Sequence, residues 1–293
     1  MAHQNARVYG VALVTTAAVL WSTGGFFVRL LDLDVWTMLA WRSVFAALSL
    51  VVVVLIQHGR NTMRAVGAIG WPGLVAIPIA ATSMGSYVVA LKLTTVANVM
   101  IVYATVPFVA AGIAFAWFRE SSKPRVLLAS AVALAGIVIV AGSATHLHDI
   151  AGNAIAFLMT LTFAVQLVMA RRYPWLEMAV INAFAAALCA VACWPLMPAG
   201  IPDPYHLLIL ALFGMTTTAF AYLLFLMGGR HIPSGEAGLI GLLDVVLGPF
   251  WVWLAFGEQP GQAAFAGGGL VLMAVFWYLS RELRDGAAKL LIS

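Results

Sequence analysis

Charge is what this sequence is short of. Only 9% of its 293 residues are Asp, Glu, Lys or Arg, against about 25% in a soluble globular domain. A water-facing surface cannot be built from so little. Cysteine is nearly missing too. Cys189 and Cys193 stand four apart in an apolar segment, where one helix face would carry both as small buried hydrophobes. That excludes a disulfide framework, and no CxxC pair points to a metal. The six histidines (His3, His58, His146, His148, His206 and His231) fall at expected loops and segment ends. His146 and His148 read as solvated loop side chains, so no metal site is expected. No cleavable signal peptide is expected either, because the first apolar segment is too long and leads into a second. The formal charge of +4 and pI of about 9.3 are compatible with nucleic acid. The basic residues nevertheless sit in short loops, and no nucleic-acid-binding motif is present. Neither nucleic acid nor a cofactor is expected as a partner.

Apolar residues fill the space left by charge. They make up 63% of the chain, with a mean hydropathy of +1.02, which describes an integral membrane protein. A helical span needs roughly 20 apolar residues. Ten segments qualify: 8–31, 35–57, 71–91, 95–118, 125–142, 152–170, 177–197, 205–228, 234–256 and 262–280. They read as helices because a lone strand in lipid leaves its backbone groups unpaired. The expected fold is an all-α membrane protein of ten transmembrane helices, with no room for a soluble domain.

Lys and Arg count the spans independently. On alternate sides, one face of the membrane collects Arg7, Arg60, Arg64, Arg119, Lys123, Arg125, Arg171, Arg172, Arg230, Arg281, Arg284 and Lys289. The other has only Arg29 and Lys92, at span ends, and Arg42 lies within a span. The basic side is cytoplasmic and holds both termini. Trp36, Trp71, Trp117, Trp175 and Trp194 stand near span ends, as interfacial anchors do.

The chain also repeats itself. Residues 91–120, LKLTTVANVMIVYATVPFVAAGIAFAWFRE, return 138 positions later as residues 229–258, GRHIPSGEAGLIGLLDVVLGPFWVWLAFGE. Lys92 then falls on Arg230, Asn98 on Glu236 and Glu120 on Glu258. The first segment has its own partner at an offset of 142, running from Gly10 to Arg29 and from Gly152 to Arg171. Halves 1–145 and 146–293 would thus hold five helices each. Five is odd, so the second half enters with opposite polarity. An inverted repeat is characteristic of secondary transporters, in which two similar halves open a central site to alternate sides. One chain holds both halves, so a monomer would suffice, with the bilayer and a small-molecule substrate as its partners.

Three features carry a family resemblance: Trp21-Ser22 in the first span, Trp41-Arg42 in the second, and the paired helices closing at Glu120 and Glu258. Together with the duplication, they make the chain resemble the drug/metabolite transporter superfamily in its ten-span EamA-type branch. Within the branch it is most similar to bacterial exporters of aromatic amino acids. The resemblance implies a pseudo-two-fold bundle in the bacterial cytoplasmic (inner) membrane, with a central cavity from which small metabolites are exported.

Polar groups at membrane depth are costly unless they line a cavity or find partners, so they mark candidate positions. Trp21, Ser22, Ser83, Tyr87, Asn98, Tyr103, Phe163, Gln166, Thr217 and Tyr222 supply uncharged hydrogen-bonding and aromatic groups. Such a lining suits a partly apolar, zwitterionic or uncharged solute. A phosphate-bearing solute would want several cations at this depth, and only Arg42 is available. Arg42 reads as a carboxylate binder or as the partner of an internal acid. Asp244 reads as a proton-coupling or amine-binding acid, or as one end of a helix–helix hydrogen bond. Lys92, Arg230 and Glu236 are gate or coupling candidates, with snorkelling or helix capping as the plainer alternative. For any single hydroxyl, bonding to its own backbone is the plainer reading. Other functions compete: a broad exporter of drugs or cationic metabolites recognised by Asp244, or an intramembrane enzyme. The enzyme would need convergent catalytic residues, and the placement of the histidines argues against it.

Overall fold

The computed structural model of the chain describes residues 2–118, 124–142, 147–232 and 234–290, and no strand occurs among them. In order the helices are α1 (Ala2–Ser22), α2 (Gly24–Leu30), α3 (Val35–His58), α4 (Thr62–Gly67) and α5 (Gly70–Leu93). Next come α6 (Val96–Tyr103), α7 (Val106–Phe118), α8 (Pro124–Gly142), α9 (Leu147–Arg172) and α10 (Met178–Cys193). The remainder are α11 (Pro204–Gly214), α12 (Ala221–Gly229), α13 (Ser234–Phe256) and α14 (Gln262–Leu290). Among the described residues, seven continuous or nearly continuous helices are long and apolar enough to cross a bilayer: Val8–Leu30, Val35–Gly67, Gly70–Leu93, Val96–Trp117, Asp149–Arg172, Met178–Leu196 and Pro204–Gly229. Three shorter apolar helices, Leu128–Val140, Leu243–Phe256 and Gln262–Tyr278, complete the apolar set. The chain is a multi-pass membrane protein. Glu120 lies outside the described residues.

Three expected spans are broken, each for a local reason. Thr23 separates α1 from α2, where Ser22 and Thr23 turn their hydroxyls onto the backbone carbonyls of Val19 and Leu20, at 2.7 and 2.6 Å. Ala104 and Thr105 separate α6 from α7 because Pro107 has no N–H to give to the carbonyl four residues back. The chain tightens there instead, with Thr105 N–H on Val102 O at 3.2 Å and Phe108 N–H on Thr105 O at 2.9 Å. A π turn over Met215–Phe220 joins α11 to α12. Thr216 and Thr217 bond back to Leu212 O and Phe213 O, each at 2.6 Å. Among the described residues, side-chain oxygens cap α3 (Asp34), α6 (Thr95) and α11 (Asp203).

The largest core cluster takes residues from α2, α3, α5 to α11, α13 and α14, including Leu39, Leu91, Val96, Met100 and Phe213. The outside is as apolar as the inside, with Val51, Val52, Leu55, Phe115, Phe157, Phe250 and Phe276 exposed. Patches of that extent mark a surface meant for lipid. The five tryptophans expected at span ends are exposed as well. α8 and α14 cross at Gly136 and Gly267, where a Cβ on either would come within 2.6 Å of the other's carbonyl oxygen. Small residues of this kind let membrane helices approach backbone to backbone.

Candidate functional site

One end of the bundle is tied by charge. Gly257, with φ of 70°, ends α13 in the left-handed region where glycine is at ease. Its N–H bonds Trp253 O at 2.9 Å. Glu258 follows. One of its carboxylate oxygens accepts from Arg29 Nε at 2.6 Å, and the other accepts from the Val96 backbone N–H at 2.9 Å. The carboxylate thus sits at the N-terminus of α6, where the helix dipole favours negative charge. The Arg29 guanidinium also donates to the carbonyls of Leu91 and Thr94. Lys92 Nζ donates to Leu31 O at 3.1 Å. Asn98 Nδ2 donates to Thr94 Oγ1 at 3.2 Å, and that hydroxyl donates on to Asp149 at 3.4 Å. Arg29 on α2, the cap of α6 and the ends of α9 and α13 therefore form one network, with Lys92 beside it.

The second group lies deeper. Arg42 on α3, Tyr87 on α5, Tyr103 on α6 and Asp244 on α13 come together in the bundle interior. Tyr87 lies close enough to Arg42 and to Asp244 for both charges to act on its hydroxyl. Tyr103 stands in the same relation to Asp244 and Tyr87, and its ring meets Phe163 at 5.7 Å between centroids. Arg42 is 6% exposed and Asp244 8%, and no ion pair joins them. Arg42 Nε and Asp244 Oδ1 are buried without a hydrogen-bond partner. The Arg42 cation instead rests over the Phe213 ring, 4.4 Å from its centroid. Tyr87 reaches this position because residue 24 is glycine: a Cβ there would stand 2.2 Å from the tyrosine hydroxyl. Burying an ionisable group short of partners is costly, and here Arg42 and Asp244 each keep a buried atom unbonded.

The remaining candidates scatter. Trp21 packs on Phe225 at 5.2 Å between centroids. Ser22 accepts from Trp251 Nε1 at 2.9 Å and donates to its own helix. Ser83 reaches Met159 O at 3.4 Å, joining α5 to α9, and Thr217 bonds its own helix. Gln166 is buried on α9. Tyr222 packs beside Val54, Ile69, Ala179 and Val180, near Glu177. Asn98 belongs to the Glu258 network, and Lys92 lies beside it. Arg230 is exposed at the end of α12, and the Glu236 side chain lies outside the described residues.

Sequence reasoning missed the Arg29–Glu258 pair, reading Arg29 as a topological charge and Glu258 only as a mark of the repeat. The signal was there. Arg29 and Arg171 close matching segments, and Glu258 has Glu120 as its mate. The service of Gly24 to Tyr87 and the bond from Trp251 to Ser22 gave no local signal, because each joins residues far apart in the chain.

Apolar helices enclosing a small buried polar cluster define a multi-pass membrane protein, and comparison with known proteins supplies the family, one of small-molecule transporters. The model of the EamA-like transporter family matches residues 8–142 and again residues 148–280. The chain belongs to the EamA-like transporter family and carries two copies of its repeat. One solved crystal structure, described only as "Crystal structure of protein", is 19% identical in sequence with a TM-score of 0.64. The match covers 92% of this chain and 96% of that one. At that identity the likeness concerns the fold alone. No curated protein matches the chain.

Proposed function

We propose that ten helices cross the bacterial cytoplasmic membrane as two inverted five-helix repeats, residues 1–145 and 146–293, with both termini inside. We further propose that the protein exports neutral amino acids, aromatic ones preferred, by alternating access. The packing supports the repeat. α1 leans on α12 and α13, while α9, its counterpart, leans on α5, α6 and α7. The pairs α3 with α10 and α8 with α14 match each to its own repeat mate. On this reading the Glu258 end faces outward and is closed by the Arg29 network.

The observation that carries the substrate is the pair of unpartnered charges. Arg42 suits an α-carboxylate, Asp244 suits an α-ammonium, and Tyr87, Tyr103 and Phe163 offer ring faces for an aromatic side chain. Each end of a zwitterion would satisfy one orphaned group. Release follows when the halves rearrange about the cluster and the Arg29–Glu258 tie opens.

Flux from proteoliposomes loaded with labelled phenylalanine, tryptophan and tyrosine tests the proposal. Efflux above empty vesicles, competed by other neutral amino acids, is the expected result. No efflux for any of the three removes it. Efflux of organic cations without amino acids would favour a cationic-metabolite exporter built on Asp244.

A further inference from the structure

α8 and α9 follow one another in the chain but lean mainly on different neighbours, α8 on α14 and α9 on α5, α6 and α7. Where they part, a cavity of about 280 Å³ opens. Val102, Val140 and Asn153 form its buried floor, and Ile150, Ala154 and Phe157 its exposed rim. Among the described residues, the walls are apolar apart from one group. Asn153 is 8% exposed, and neither its Nδ2 nor its Oδ1 has a hydrogen-bond partner. A primary amide offers two N–H donors and an acceptor, and burying them unmet is costly. Nothing in the transport reading uses this residue.

The occupant can be narrowed by chemistry. Water needs two to four polar partners, and the cavity offers one side chain. A whole drug-sized ligand takes roughly 300–1,000 Å³, so this space fits part of a larger molecule. The rim side chains are exposed and apolar on a membrane-spanning helix, so the molecule that reaches them comes from the bilayer. Asn153 stands four residues from Asp149, the polar start of that span, or about 6 Å at helical rise. This is the depth at which polar headgroup gives way to hydrocarbon. A group is wanted that accepts a hydrogen bond at that depth and continues as a hydrocarbon chain. We propose that the α8–α9 cavity binds one acyl chain of a diacyl glycerophospholipid, whose ester carbonyl accepts a hydrogen bond from Asn153 Nδ2. The chain then runs down between Val102, Val140 and Phe157. The lipid fills the seam where the two repeats meet and bridges two helices whose main packing partners differ. This inference rests on α9 spanning the membrane and not on which solute is carried.

Paired lipids test it. Purified, delipidated protein is given diacyl phosphatidylethanolamine or its dialkyl ether analogue, with the same headgroup and chain length. Thermal unfolding and retained lipid by native mass spectrometry are then read. A ligand that binds only the folded state raises the Tm. The wild type should gain a few degrees and retain lipid with the ester, and gain less with the ether. Asn153→Leu, which removes the amide, should respond to the two lipids alike. Ala154→Trp, which blocks the exposed rim and leaves the amide in place, should lose the ester's advantage as well. Equal stabilisation of the wild type by ester and ether overturns the proposal, as does an ester preference that survives in both variants. Labelled phenylalanine binding that weakens in both variants while lipid retention is unchanged would assign the cavity to the transport path and overturn it also.

Discussion

Arg29 and Arg42 stand thirteen residues apart and meet opposite fates. Arg29, at the Glu258 end, has a carboxylate on Nε and backbone carbonyls on its two terminal nitrogens. Arg42, deep in the bundle, has an aromatic face beneath it and nothing on Nε. The acids divide in the same way. Glu258 takes a guanidinium and a helix N-terminus, while Asp244 keeps a buried oxygen unbonded. A charged group whose partners are all within the chain holds the fold together. A charged group left short of partners costs stability, and the cost is met when something else binds. On the proposed function, the Glu258 end is then a structural tie and the interior cluster is the place for a ligand.

If that contrast holds, substitutions in the two regions should separate stability from transport. The largest effect falls on transport. Arg42→Gln and Asp244→Asn should each lower efflux about 10- to 100-fold, the weight of a hydrogen bond to a charged group at roughly 1.5–3 kcal/mol. Their Tm should stay level or rise, because a buried charge has been removed. A Tm that falls with activity would make the cluster structural. Gly24→Ala comes next. It displaces the Tyr87 hydroxyl, and a shift of about 1 Å at a binding group can cost up to 10²-fold. Efflux should drop, and a smaller substrate ring should be tolerated better than indole. Glu258→Gln should do the reverse of Arg42→Gln. It strands a part-buried Arg29 and should lower stability by about 1–3 kcal/mol, read as Tm. Ser22→Ala removes the acceptor of Trp251 Nε1 and should cost about 1 kcal/mol, with substrate affinity unchanged. The smallest effect lies outside the membrane. His206, through its backbone N–H and its ring, holds the exposed Asp203 carboxyl below its usual range. The stability this gives to the start of α11 is present above the ordinary carboxylate pKa and is lost as the pH falls through the depressed one. Asp203→Ala should therefore flatten the acid limb of a Tm–pH profile slightly.

How much of this was legible in the sequence depends on the range of the interaction. The helices were legible because apolar length is a local property. The breaks at Thr23 and around Pro107 were foreshadowed by Gly24-Gly25 and by the proline, although residues 8–31 and 95–118 read as single spans. Arg42, Tyr87, Tyr103 and Asp244 could be chosen because polar groups are conspicuous in apolar runs. Their convergence could not be read, since it brings together four helices. Ser83, Thr217 and Tyr222 looked the same in sequence, and the structure gives two of them backbone partners and the third a packing role. The Arg29–Glu258 tie was hidden for a further reason. Charges at span ends already had an explanation in topology, and that explanation masked their pairing.

The most direct test of the central claim uses substrates with one end removed. Phenylalanine, phenethylamine and 3-phenylpropionate share a ring but present a zwitterion, an amine alone or a carboxylate alone. Their competition against labelled phenylalanine efflux is measured on wild-type protein in proteoliposomes. Two opposite charges held apart at one site require that only the zwitterion competes well, with each single-ended analogue weaker by at least about tenfold, or roughly 1.4 kcal/mol. Phenethylamine competing as well as phenylalanine would mean that Arg42 does not meet the substrate, and would contradict the account.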